Sequence, residues 1–332
     1  MEYREFGNTG IKVSALGFGC GDVGGLIVRG TVQERLESVQ RALDLGITYF
    51  DTASRYGNGQ SEINLGAALR ELKADPIVGT KVRLDPKHIK DIKSSVIKSV
   101  ENSLARLGRD HIHLIQLHNS VTSERLENHS GMTPEDIHEV QNAFMTLRTQ
   151  GKISIWGITA VGDTNTLHAI INSGNFNTVQ TPYNLLNPSQ GEAIPLGYPY
   201  QDFNNLIGAA SSKRMGVIAI RVLAGGALSM NSDRHILASQ PPAPIGSGAD
   251  YFEDLTASEI FNFLSKEGFT KSIVEAAIRF VISNKNISTA LVGFSSIQQL
   301  EYAVSAVEKG YLPPEVIQRL QSVRASLVNK VI

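Results

Sequence analysis

Four side chains carry the strongest chemical signal in this 332-residue sequence: Asp51, Tyr56, Lys81 and His118. Asp51, Lys81 and His118 each stand at the end of a short apolar run rich in β-branched residues. Tyr56 follows Asp51 by five positions, in a Gly/Asn-rich stretch. If those runs are parallel strands of a closed barrel, their C-terminal ends meet at one rim, and the four side chains converge from three successive strands. The physics of such a cluster is specific. A phenol has a reference pKa near ~10, too high for easy proton exchange at neutral pH. An adjacent ammonium favours the phenolate and lowers that value. A carboxylate keeps the lysine charged, and a histidine hydrogen-bonds and orients a substrate oxygen. Together they make a tunable proton donor aimed at a carbonyl oxygen. Reduction also needs a hydride on carbon, which no side chain supplies, so a nicotinamide-type cofactor is implied. Taken singly, each residue has a plainer reading: Asp51 as a loop or helix cap, Tyr56 as an exposed aromatic, Lys81 as a solvated charge. Their joint placement carries the signal.

The elements that must position them are read from periodicity. Apolar runs at 15–18, 47–50, 76–81, 112–117, 155–158, 178–181, 216–220 and 289–292 have the composition of buried parallel strands. Helical stretches alternate with them. Thr31-Val32-Gln33-Glu34 is a capping box, and Gly46 follows as a stop. Thr133-Pro134-Glu135-Asp136 supplies a cap, a proline at the first helical position and acids in the first turn, and Gly151 ends that helix. Residues 90–107 carry an apolar stripe of Ile92, Val96, Val100, Leu104 and Leu107, closed by Gly108. Eight strand–helix units predict an α/β fold, a (β/α)8 TIM barrel over 1–332 as one domain, with an open doubly wound sheet as the rival. Residues 3–6 and 11–13, joined by Gly7-Asn8-Thr9-Gly10, predict an N-terminal β-hairpin outside the repeat. The long intervals 119–132, 185–200 and 224–255 all follow strands, so a barrel places all three as loops at the C-terminal rim.

Composition narrows the function classes. The chain has 31 basic and 32 acidic residues and a formal net charge of -1, which argues against nucleic-acid and membrane partners. No apolar run reaches the ~20 residues of a membrane span. The opening Met1-Glu2-Tyr3-Arg4-Glu5 has no basic-then-apolar signal pattern, so a cytoplasmic protein is expected. The single cysteine, Cys20, excludes an internal disulfide and a cysteine-based zinc cluster, and reads as a small packed residue. His111, His113, His129 and His138 read as surface or core histidines, and no metal is expected. Gly19-Cys20-Gly21-Asp22-Val23-Gly24 matches G-x-G-x-x-G, but the next helix starts only near Thr31, so the stretch reads as flexible backbone beside the active site.

The sequence resembles the aldo-keto reductase family over nearly its whole length. The resemblance is carried by Gly46-Ile47-Thr48-Tyr49-Phe50-Asp51-Thr52-Ala53, Tyr56-Gly57-Asn58-Gly59-Gln60-Ser61-Glu62, Thr80-Lys81-Val82 and Leu117-His118-Asn119. It implies Tyr56 as general acid/base, Lys81 and Asp51 as its tuners, and His118 as the carbonyl orienter. It implies a cofactor laid across the rim near Gly19, with Thr159 and Gln180 at the nicotinamide carboxamide. In the family the position of Ala160 is usually Asn. Ile220-Arg221-Val222-Leu223-Ala224-Gly225-Gly226 resembles the family's pyrophosphate loop, so Ile220, Arg221 and Leu223 are expected cofactor contacts. Gly293 and Gln299 stand where NADPH-dependent members commonly carry basic residues; they and Ser295 are expected as neutral contacts. Family habit puts NADP(H) ahead, with NAD(H) the other candidate. The expected reaction passes a hydride between nicotinamide and an aldehyde, ketone or aldose carbonyl carbon. Two rival readings remain open: a cofactor-binding auxiliary or regulatory subunit on the same barrel, and a barrel enzyme using Lys81 as a Schiff base. Trp156, Tyr251 and Phe252 either line a pocket or pack.

Overall fold

A computed structural model describes residues 1–125, 131–325 and 328. The hairpin forms as expected, from β1 (Tyr3–Glu5) and β2 (Lys12–Ser14), antiparallel with Arg4 opposite Val13. Eight parallel strands follow: β3 (Leu16–Gly19), β4 (Tyr49–Asp51), β5 (Ile77–Val82), β6 (Ile112–Leu117), β7 (Ile153–Thr159), β8 (Thr178–Pro182), β9 (Gly216–Ile220) and β10 (Thr289–Gly293). They pair in sequence order, and β10 closes on β3 with Gly293 beside Gly19, so the sheet is a closed TIM barrel.

Strand β4 begins two residues later than the run at 47–50. The reason is local: Gly46 takes φ +82, and the Ile47 N–H closes the preceding helix by donating to Ala42 O at 2.9 Å. Alternation within strands then sorts the side chains. Tyr49 and Asp51 share the inner face of β4, while Phe50 faces outward to the helices and stacks on Phe18. The same period leads inward from Gly79 to Lys81 on β5, and from Leu114 to Gln116 and on to His118 past β6. Glycines make room for large neighbours. A Cβ at Gly79 would lie 2.6 Å from the Tyr49 hydroxyl oxygen, and one at Gly17 3.0 Å from the Tyr49 ring. The barrel floor is an apolar plug of Phe6, Val13, Tyr49, Leu114, Ile155 and Ile218, so the hairpin seals the end opposite the rim.

The outer helices follow their punctuation. Thr31 and Glu34 form the capping box of the helix Val32–Asp44. Thr133 and Asp136 form another on Pro134–Thr149. The stripe expected over 90–107 starts as helix at Ile92, after a tighter turn over Pro86–Asp91, and stops at Gly108 with φ +62. The interval 224–255 is partly regular. A short turn occupies Ala224–Ser229, and Asp250 caps a helix at Tyr251–Ser258 by accepting from the Phe252 and Glu253 N–H groups. In the loop 119–132, Val121 bridges Met132 and Gly162; residues 126–130, including His129, lie outside the described residues. Among the described residues no helix is long and apolar enough to cross a membrane.

The helix Gln60–Glu71, which starts right after the Tyr56 turn, packs closely on its neighbour at Gly66. A Cβ there would lie 2.2 Å from Leu107 O. Gly66→Ala gains at most about 1 kcal/mol of helix propensity, but forces the two helices apart at about 1–3 kcal/mol. The expected outcome is net destabilisation, read as a lower urea midpoint.

Candidate active site

Lys81 is the hub of the rim. It is fully buried, and its ammonium donates to Asp51 Oδ1, to Thr52 O at 2.8 Å and to the Tyr56 hydroxyl at 3.3 Å. Three neutral donors hold the other carboxylate oxygen. Asp51 Oδ2 accepts from Tyr49 OH at 2.8 Å, Gln180 Nε2 at 3.1 Å and Gln116 Nε2 at 3.2 Å. A buried ion pair is stable only when its remaining hydrogen-bonding capacity is met, and here both oxygens of Asp51 are engaged. Burial alone would pull the Lys81 pKa down; Asp51 and Tyr56 outweigh it and hold the ammonium above its ordinary value.

Tyr56 projects from a turn of unusual backbone. Gly57, Asn58 and Gly59 have φ of 55, 53 and 91 degrees, three left-handed residues in a row. Gly21 packs against the phenol ring, where a Cβ would lie 3.3 Å away, so the glycine-rich stretch after β3 is needed for close approach. Burial pushes the Tyr56 hydroxyl above its ordinary pKa; Lys81 pulls it back and Asp51 pushes it up further. This reverses the expectation of an acidified phenol. Desolvation of the phenolate outweighs the ammonium, part of whose charge is spent on Asp51. Tyr56 therefore holds its proton at neutral pH.

His118 meets Tyr56 edge-on, with ring centroids 6.0 Å apart and planes at 88 degrees. Burial first, then the charges of Lys81, Arg83 and Arg55, push its pKa down to about 3. The imidazole is neutral across the physiological range and has one N–H to donate. Its Nδ1 is buried without a hydrogen-bond partner.

Asp51, Tyr56 and His118 line a cleft of about 620 Å³, with Lys81 buried behind them. Gly19, Gln180, Ile220, Arg221, Leu223, Gly293, Ser295 and Gln299 all line it. Thr159 does not; it ends β7 beside Gln180, buried, with its hydroxyl unpartnered. Gln180 is half committed, since its amide N–H already holds Asp51. Ser295 Oγ donates to Gly24 O at 2.6 Å, and Gln299 Oε1 accepts from the Ser295 N–H at 2.8 Å. Tyr251 lines the cleft, Phe252 is exposed, and Trp156 packs away from it, against Phe144 and with its indole N–H on Asn175 O. Cys20 is buried and its thiol pushed up by desolvation. His111 bonds Ser154, and His113 accepts from the Val78 N–H. Among the described residues no three His, Cys, Asp or Glu side chains gather as a metal set.

With this geometry in hand, similarity to known proteins decides the family. The aldo/keto reductase family pattern matches residues 15–325. The chain belongs to the aldo/keto reductase family. It is 30% identical over 316 residues to aldo-keto reductase YhdN of Bacillus subtilis (strain 168), covering 91% of this chain and 87% of that protein. It is 29% identical over 315 residues to the L-galactose dehydrogenase of Arabidopsis thaliana, covering 92% and 88%. The solved structure of aldo-keto reductase AKR11C1 from Bacillus halodurans, in its holo form, superposes with a TM-score of 0.73 at 25% identity, covering 97% of this chain and 96% of that one. Aldo-keto reductases are oxidoreductases, typically NAD(P)H-dependent, that act on small carbonyl compounds.

The cleft of this aldo-keto reductase suits a dinucleotide. Its wall includes Gly19, Gly21, Gly24, Gly225, Gly226 and Gly293, so backbone lies open to a ligand. Three buried polar atoms in the cleft wall or beside it have no partner: His118 Nδ1, Thr159 Oγ1 and Arg221 Nη1. Several lining or supporting residues escaped the sequence reading. Tyr49 and Gln116 are reached by stepping back two residues along the strand from Asp51 and His118, a signal that was present. Arg234 carried none: it donates to Gly225 O and Ser239 O from within an irregular loop.

The depressed pKa of His118 makes a prediction about stability. Its neutral form is favoured in the folded chain, so the contribution is fully present above the unfolded value of 6.5 and is lost as pH falls toward about 3. The urea midpoint of the wild type is expected to fall more steeply from pH 7 to pH 4 than that of His118→Gln. Parallel curves would contradict the assignment.

Proposed function

We propose that this protein is a nicotinamide-dependent oxidoreductase of aldehydes, ketones or aldoses, with Tyr56 as the general acid/base. The observation that carries this reading is the Tyr56 hydroxyl, 3.3 Å from the buried Lys81 ammonium, facing a glycine-walled cleft next to a neutral histidine. Nicotinamide, when bound, supplies or removes the hydride at the carbonyl carbon. The chain's residues handle the oxygen. His118 donates its N–H to the carbonyl oxygen and orients it. Tyr56, which holds its proton, passes that proton to the oxygen during reduction, and the phenolate is the base that takes a proton from the alcohol in the oxidative direction. The phenolate left behind is stabilised by Lys81, and Asp51 keeps Lys81 charged and aligned. Thr159 and Gln180 would hold the carboxamide. Gly19 would lie along the cofactor, and Ile220 or Arg221 would take the slot of an aromatic stacking on the nicotinamide. Leu223 belongs to the loop for the pyrophosphate, and Gly293, Ser295 and Gln299 would line the adenosine end. The similarity to L-galactose dehydrogenase supports an aldose among the substrate classes.

The adenosine end bears on NADP(H) against NAD(H). Gly293 offers no side chain, and Ser295 and Gln299 are neutral and already bonded within the protein. A 2′-phosphate gains from charge-assisted hydrogen bonds that these groups do not offer. This wall favours NADH, against the habit of the family. Titration of the protein's fluorescence is expected to give NADH a dissociation constant no larger than that of NADPH; tenfold tighter NADPH would reject the assignment.

Tyr56→Phe removes the transferable proton and leaves the cleft intact. The rate of carbonyl reduction is expected to drop by about 10²–10⁴-fold, with cofactor affinity unchanged in the same titration. A variant turning over at the wild-type rate would remove Tyr56 from the chemistry. A wild type that binds cofactor but converts no aldehyde, ketone or aldose would reject the enzymatic reading.

A further inference from the structure

We propose that Asp22 and Arg29 form a latch that makes the placement of Tyr56 depend on a strap of chain lying over the cleft. Both are positioning residues for the proton transfer, and their effect on turnover rests on the function proposed above. The strap is the irregular segment after Ser229, whose Asn231, Arg234, His235 and Ala238 line the cleft. It docks on the turn that follows β3. The Ser239 N–H donates to Asp22 O at 3.1 Å, and Arg29 Nε donates to Leu237 O at 2.7 Å. Gly25 makes this approach possible: a Cβ there would lie 1.7 Å from Leu237 O.

The same turn grips the catalytic tyrosine from the other side. Asp22 Oδ2 accepts the Gly57 N–H at 3.2 Å, one residue past Tyr56. Asp22 Oδ1 accepts from Arg29 Nη1 at 3.2 Å, and Arg29 Nη2 donates to the Asp22 carbonyl. Two of the three left-handed residues in this turn are glycines, which take positive φ at little cost, so the turn is pliable and its placement depends on what it is bonded to. The Asp22 carboxylate is such a bond, to the Gly57 N–H. Arg29 is thus bonded at once to the strap and to the carboxylate that fixes the tyrosine's turn. Side chains of Arg29 and Asp22 are 35% and 38% exposed, and ion pairs so wetted are weak, which suits a latch that must open. A dinucleotide entering or leaving the cleft must pass the strap. When the strap lifts, Arg29 loses Leu237, and the hold on Gly57 slackens. When it closes, Tyr56 is set for proton transfer.

Amide hydrogen exchange on the ligand-free protein tests the latch without any cofactor. Arg29→Ala is expected to raise exchange over residues 234–239 and, by about tenfold, at Gly57, with the far-ultraviolet circular dichroism unchanged. Arg29→Lys keeps the charge but not the fork, and is expected to fall between. Unchanged exchange at Gly57 in Arg29→Ala, or unchanged exchange over 234–239, overturns the coupling. In turnover with NADH, Arg29→Ala is expected to release cofactor about tenfold faster and lower kcat by about tenfold, with the carbonyl KM within about twofold. Faster release at an unchanged kcat would also overturn it. Failure of the wild type to bind either nicotinamide cofactor would reject the proposed function instead, and the exchange result would still judge the latch.

Discussion

Withdrawing Lys81 and Asp51 from water costs several kcal/mol per ion, and the pair survives at the barrel rim only because its surroundings answer it. Thr52 O takes one ammonium hydrogen, and Tyr49, Gln116 and Gln180 converge on the second carboxylate oxygen. Those donors come from β4, β6 and β8, so the ion pair draws on half of the barrel's strands. The charges and the closed barrel require each other. Without closure the donors would not meet, and without the donors the charges could not stay buried.

This arrangement places a proton rather than removing one. Desolvation works against the phenolate of Tyr56 and against the imidazolium of His118. The resting rim therefore holds a protonated phenol beside a neutral imidazole, two hydrogen-bond donors facing the same space. In the proposed reaction the ammonium acts on the state that follows proton transfer, when a phenolate must be stabilised.

Much of the candidate site is legible in the chain because barrels of this type deliver strand ends to one rim. Asp51, Lys81 and His118 follow apolar runs, and Tyr56 sits in a stretch whose glycines announce special backbone. The capping boxes at Thr31 and Thr133 mark helix starts through purely local bonds, which is why they hold in the folded protein. The ends of β4 are less legible, because whether Ile47 pairs in the sheet or closes the previous helix depends on competition between two hydrogen bonds. The loop 224–255 hid a helix whose start, at Asp250, has a capping side chain but no apolar stripe to announce it.

Residue order alone determined the alternation of strands and helices, and the set of Asp, Tyr, Lys and His that meets at the rim, because both are set by short-range periodicity repeated along the chain. Three-dimensional packing alone decided that Tyr56 keeps its proton, that Gln180 turns to Asp51, and that Arg29 and Asp22 stand between the tyrosine and the strap. Each of those outcomes is a balance of burial against contacts between residues far apart in sequence, from the 35 positions between Asp22 and Gly57 to the 208 between Arg29 and Leu237. Such balances exist only once the chain has closed on itself.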